Sequence, residues 1–145
     1  MTANSLQAWA AKPTGRLLIL RKFPLRISPR IATARRILRP AVSVVIPAKE
    51  ASSERLGRCL EALGAQTVQP AEVVVVVPRR VPIADGQARW PWVRFLRCPN
   101  PPSFCRAVNA GIAATQAPWV LLLNDDVVME PDFVERLLGG AHNDA

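Results

Sequence analysis

The chain has 145 residues, half of them apolar, which is enough for one domain with a buried core and too few for two of ordinary size. Its formal charge of +8 is unevenly spread: residues 1–40 carry nine Lys and Arg and no acid, whereas from Ala41 onward ten Lys and Arg face eleven Asp and Glu. The basicity therefore belongs to an N-terminal extension, and a nucleic-acid-binding domain is not the expected class.

Residues 1–40 interleave Arg, Pro and Ser with apolar residues such as Leu17, Ile19 and Phe23. They are read as a basic extension, largely disordered or loosely docked, with an anionic membrane surface as the partner such a segment would meet. The longest apolar run there, residues 17–20, is too short for a signal-peptide core or a bilayer span. Cys59, Cys98 and Cys105 are odd in number and lack metal-ligand spacing, which argues for a reducing compartment and a cytoplasmic, at most peripherally membrane-bound, protein.

From Ala41 to the end the texture changes to alternating strands and helices, and residues 41–145 form the predicted domain. AVSVVIP (41–47) and EVVVVVP (72–78) are unbroken apolar runs with a proline stop, the pattern of central parallel strands. Between them Ser52 or Ser53 is placed to cap a helix that buries Leu56, Cys59, Leu60 and Leu63. After a loop holding Asp85-Gly86, VRFLR (93–97) predicts a third strand. Pro101, Pro102 and Ser103 then open a helix with Phe104, Val108, Ile112 and Cys105 toward the core. WVLLLN (119–124) is the fourth strand; Pro131 starts a last helix that Gly139-Gly140 stops. The fold class is α/β, a Rossmann-like parallel sheet with helices on both faces.

In such sheets ligands bind beyond the carboxyl ends of the strands. Lys49-Glu50 follow the first strand and Asn124-Asp125-Asp126 the fourth. Two adjacent carboxylates beside a buried strand repel each other, and a bound cation, a helix N-terminus or solvent would offset this. Strand alternation puts Asn124 and Asp126 on one side and Asp125 on the other, an N-x-D pair suited to the oxygen shell of Mg²⁺ or Mn²⁺. The only histidine, His142, stands close to the end, so a histidine base within the fold is set aside.

The stretches VSVVIPAKE, LGRCLEALGAQTVQPAEVVVVV, AVNAGIAAT and WVLLLNDDVVMEPDFVERLL resemble, in that order and over residues 42–138, the nucleotide-sugar-binding half of family-two glycosyltransferases of GT-A fold. The LLLNDDV form is most similar to rhamnosyl- and galactofuranosyl-transferase-like members. The resemblance implies metal-dependent, inverting transfer of a sugar from a nucleotide diphosphate sugar to an acceptor hydroxyl. It places Pro47, Ala48, Lys49 and Glu50 at the base and ribose, Asn109 and Gly111 in the helix motif, and Asn124 and Asp125 in the donor site. Asp126 becomes the ligand of a divalent cation, Mg²⁺ or Mn²⁺, and Arg106 is placed to meet the diphosphate.

Three departures stand beside the resemblance. Val77-Pro78-Arg79-Arg80 replaces the acid pair that helps to read the base, and Pro101-Pro102-Ser103 replaces the Asn-x-Gly before the helix. The catalytic base and acceptor site of the family lie downstream of residues this chain has, so an incomplete copy holding the donor half is expected. The alternative is a non-catalytic remnant or binding module that uses its basic extension on anionic lipid or nucleic acid. A phosphoacceptor signalling domain needs an acidic pair after the first strand, which Lys49-Glu50 does not supply.

Overall fold

The structure, a computed structural model, describes residues 8–9, 17–21 and 41–143. At its centre is β3 (Val42–Pro47), whose first five residues are all buried. A strand apolar on both faces is best placed within a parallel sheet covered on both sides. β4 (Glu72–Val77) runs parallel along one edge of it, with Val44 opposite Val73, and β6 (Trp119–Leu123) runs parallel along the other, with Val44 opposite Leu121. β5 (Val93–Arg97) adds parallel to β4 and forms an outer edge. There exposed Arg94 and Arg97 interrupt the buried Val93 and Phe95, a charged edge that discourages further pairing.

The parallel α/β sheet is as expected, but it is wider than the sequence suggested. β2 (Leu17–Arg21) pairs antiparallel with β6, from Leu17 opposite Leu123 to Arg21 opposite Trp119, and β1 (Ala8–Trp9) pairs antiparallel with β2. Over these residues the N-terminal extension is a strand partner rather than disordered or loosely docked chain. The physical reason is the free edge of β6, whose backbone N–H and C=O groups need partners that the LLILR run supplies. The rest of residues 1–40 lies outside the described residues.

Three helices cover one face. α1 (Glu54–Gly64) starts at Ser53, whose hydroxyl accepts the Leu56 N–H at 3.3 Å, and it buries Leu56, Cys59, Leu60 and Leu63 as the spacing predicts. Each fully buried leucine there contributes about 1.5–3 kcal/mol. α4 (Phe133–Asn143) brings Val134 and Leu138 to the same core. α2 (Ala84–Arg89) contains the Asp85-Gly86 step that was expected in a loop. Gly86 is buried so tightly that a Cβ there would stand 2.7 Å from the Ala51 carbonyl oxygen and 2.9 Å from the Phe95 ring. α4 begins after Pro131, not at it, and runs on through Gly139-Gly140. Buried Val134 and Leu138 anchor it from one side, and packing of that kind overrides the weak helix propensity of glycine.

α3 (Phe104–Ala114) covers the opposite face, over Val45, Val74, Val76, Val120 and Leu122. Ala107 and Gly111 are its buried residues, with Val108 and Ile112 packed beside them, while Cys105 and Phe104 are exposed, Phe104 by 57 %. Phe104 lies seven residues before Gly111 and thus on nearly the same helical stripe. It sits at the end of the helix beside the sheet's carboxyl edge, which explains why it lines an opening instead of the core. At the other end of the sheet buried Ser43 donates to Glu72 Oε1 at 2.7 Å and accepts the Ala117 N–H at 3.2 Å, tying β3 and β4 to the turn before β6. Among the described residues no helix is long and apolar enough to cross a membrane.

The tightest helix-to-sheet approach is testable. A Cβ at Gly111 would stand 2.3 Å from Val45 Cγ1, whereas one at Gly139 would meet nothing within 4 Å. Gly111→Ala is expected to lower stability in urea unfolding by about 1–3 kcal/mol through overpacking. Gly139→Ala is expected to raise it by up to about 1 kcal/mol through helix propensity. Equal effects of the two substitutions would contradict this packing.

Candidate functional site

Strand order supplies the site. From β3 the chain moves outward to β4 and β5, then returns to place β6 on the other side of β3. This reversal leaves a crevice beyond the carboxyl ends of β3 and β6, where open α/β sheets bind their ligands. A cavity of about 500 Å³ opens there, within the range typical of small-molecule sites. Pro47, Ala48 and Lys49 line it from the exit of β3, and Asn124 and Asp125 from the exit of β6. Arg55 enters from the first turn of α1. Val76, Pro78 and Cys98 close the β4 and β5 side, and Pro102, Ser103, Phe104 and Ala107 come from the start of α3.

The acidic segment does not continue the strand. After Leu123 the chain turns, with the Val127 N–H donating to the Asn124 carbonyl at 3.3 Å, so strand alternation ceases to apply. Asp125 consequently lines the cavity with Asn124. Asp126, expected as the metal ligand beside Asn124, is not on that wall, and its Oδ1 is buried. Asp125, already expected in the donor site, is the carboxylate on the wall.

α1 holds the acidic turn and the loop behind it. The Cys59 thiol donates to the Asn124 carbonyl at 3.8 Å. Gln66, only 5 % exposed, donates from Nε2 to the Glu130 carbonyl at 2.8 Å and accepts the Val134 N–H on Oε1 at 2.9 Å. The Thr67 N–H donates to the Pro131 carbonyl at 2.8 Å. A buried amide serving two backbone groups fixes the path of the loop between β6 and α4, since leaving either group unpaired would be costly. Gln66 was given no role from sequence. Its signal was the AQT step at the end of the helix, but the hydrogen bonds that define its task come from residues more than sixty positions away.

The remaining expected residues divide. Lys49 reaches the cavity wall, while exposed Glu50 does not. Arg106 is exposed, off the wall, and donates from Nη1 to the Asn100 carbonyl at 3.4 Å. Asn109 is an exposed residue of α3, also off the wall. Arg55 was not singled out, because nothing local distinguishes it from other surface arginines of α1. Ser103 both lines the cavity and caps α3, accepting the Arg106 N–H at 3.2 Å, so the positive end of that helix dipole faces the opening. Among the described residues no three His, Cys, Asp or Glu side chains gather into a metal-binding group.

Two carboxylates and a buried thiol share the floor of this turn. Burial pushes the Cys59 thiol from 9.0 up to about 12, with the charges of Asp125 and then Asp126 adding to the rise. Cys59 is therefore a protonated donor and not a nucleophile. Between pH 9 and 12 the unfolded thiol loses its proton while the folded one keeps it, so the stability present below pH 9 is lost as pH rises. The loss is about 1.4 kcal/mol per pH unit within that window. In urea unfolding from pH 8 to 10.5, Cys59→Ala is expected to lose less stability than the wild-type chain. Parallel pH profiles would show that the thiol is not held this way.

The sequence model described as glycosyl transferase family 2 matches residues 43–145, which take in β3 to α4 and every residue of the cavity wall. Comparison with curated protein sequences returns no match.

Proposed function

The chain belongs to glycosyl transferase family 2, and from that premise we propose that its cavity holds a nucleotide diphosphate sugar whose sugar is transferred to an acceptor hydroxyl. The observation that carries this reading is the meeting of Asn124 and Asp125 with Lys49 and Arg55 around one cavity at the strand-order reversal. Transfer breaks the bond between the anomeric carbon and a diphosphate oxygen, and negative charge grows on the departing diphosphate. Lys49 and Arg55 are the groups of this chain that would stabilise that charge.

The donor set also fits a divalent cation of the Mg²⁺ or Mn²⁺ kind. Such ions are usually held by one or two carboxylates together with substrate phosphates and waters. Asp125 supplies a carboxylate and Asn124 an amide oxygen on the same wall. When bound, the ion supplies charge neutralisation of the diphosphate. Asp125 would hold it, Asn124 would orient its surroundings, and the clamp of Gln66 on the following loop keeps the turn in place. Inversion at the anomeric carbon is part of the same proposal, supported by the family resemblance. No described residue is assigned as the base that takes the acceptor proton.

Isothermal titration with a nucleoside diphosphate and Mn²⁺ tests the site. Asp125→Asn is expected to weaken binding roughly 10- to 100-fold, the scale of one charge-assisted contact. Asp126→Asn is expected to weaken it less. Greater dependence on Asp126 would restore the strand-alternation order of the two carboxylates, and absence of nucleotide binding by the wild-type chain would overturn the donor assignment.

A further inference from the structure

The cavity is chemically two-sided. Its charged groups belong to β6, β3 and α1, namely Asp125, Lys49 and Arg55, while the side formed by β4, β5 and α3 presents Val76, Pro78, Cys98, Ala107 and Phe104. The Cys98 thiol on that second side already has acceptors, and the Ser103 hydroxyl already accepts one hydrogen bond. The Cys98 thiol donates to the Pro99 carbonyl at 3.5 Å and lies 3.9 Å from the Ser103 carbonyl, and the Ser103 hydroxyl accepts the Arg106 N–H. Among the described residues no carboxylate or side-chain amide stands on that side of the wall. Among the described residues Phe104 is the only aromatic on the cavity wall, and it is 57 % exposed although a phenyl ring gains from burial.

Resting on the donor reading above, we propose that Phe104 is the platform on which the donor's nucleobase stacks, and that the site holds the base by its π-face without selecting among bases. The diphosphate then lies toward Lys49, Arg55 and Asp125, which leaves the apolar side for the base. Stacking accepts any base because every base has a π-face. Strong selection needs buried groups that hydrogen-bond the base edge and are left unpaired by the wrong one, whereas apolar walls discriminate only weakly. Among the described residues the apolar exit of β4 at Pro78 offers no partner to a base edge, and Ser103 retains a single hydroxyl proton to donate on this side of the wall.

The test measures the affinities of UDP, GDP, CDP, ADP and inorganic pyrophosphate, all with Mn²⁺, for the wild-type chain and for Phe104→Ala. The exposure of Phe104 makes the substitution benign to folding, which circular dichroism checks, and Phe104→Trp is included as a variant that keeps a stacking surface. The four nucleoside diphosphates are expected to bind within roughly a hundredfold of one another, the discrimination an apolar wall provides. Phe104→Ala is expected to weaken all four by roughly 5- to 100-fold, the cost of losing one stacked base, with pyrophosphate unchanged and Phe104→Trp close to wild type. A base preferred by more than a hundredfold, or nucleotide affinities unmoved by Phe104→Ala, would overturn the proposal while leaving the donor site standing. If no nucleoside diphosphate binds the wild-type chain, the donor reading falls and this proposal with it.

Discussion

The structure depends on β3 being hydrogen-bonded along both edges and covered on both faces. Its VSVVIP sequence offers no face to water, so parallel partners and two helical layers are required rather than optional. β4 meets one edge through the right-handed crossover of α1, and β6 meets the other after the chain has doubled back through β5 and α3. That return creates the reversal of strand order, and the reversal leaves the carboxyl ends of β3 and β6 with a crevice between their exits. The site is thus a consequence of where a fully apolar strand has to go.

The second constraint is electrostatic. Two neighbouring carboxylates at the end of a buried strand repel more strongly than in water, and the chain separates their surroundings by turning. Asp125 goes to the cavity, where Lys49 and Arg55 also stand, and Asp126 is not among the wall residues and has one oxygen buried. The turn is held by α1 through the protonated Cys59 thiol, and the loop behind it by the Gln66 amide just after that helix. A helix whose apolar stripe serves the core therefore also supports the chemistry at the strand ends.

The legible parts of the fold are those whose local pattern agrees with their burial. β3, β4 and β6 are unbroken apolar runs, and α1 has both its cap and its stripe in sequence. β2 was missed because its LLILR run is embedded among arginines and prolines, and its reason for forming a strand is the edge of β6 about a hundred residues away. Phe104 has the right spacing for the core, and only the position of α3 relative to the strand ends shows that it lines the cavity. Lys49, Asn124 and Asp125 were legible at strand exits located from the apolar runs, and Pro47 and Ala48 through the family resemblance. The period-two rule that paired Asp126 with Asn124 does not extend into the turn, and Arg55 was overlooked because helix exposure alone does not reveal what a side chain faces.

The central claim is that the cation and the diphosphate meet at the shared exit of β3 and β6. Paramagnetic broadening of backbone amide resonances, with substoichiometric Mn²⁺ added to the chain saturated with a nucleoside diphosphate, tests it most directly. The account predicts that the amides of Ala48, Lys49, Asn124 and Asp125 broaden first. Broadening centred instead on the acids Asp132 and Glu135 around the start of α4, with the strand exits unaffected, would contradict it.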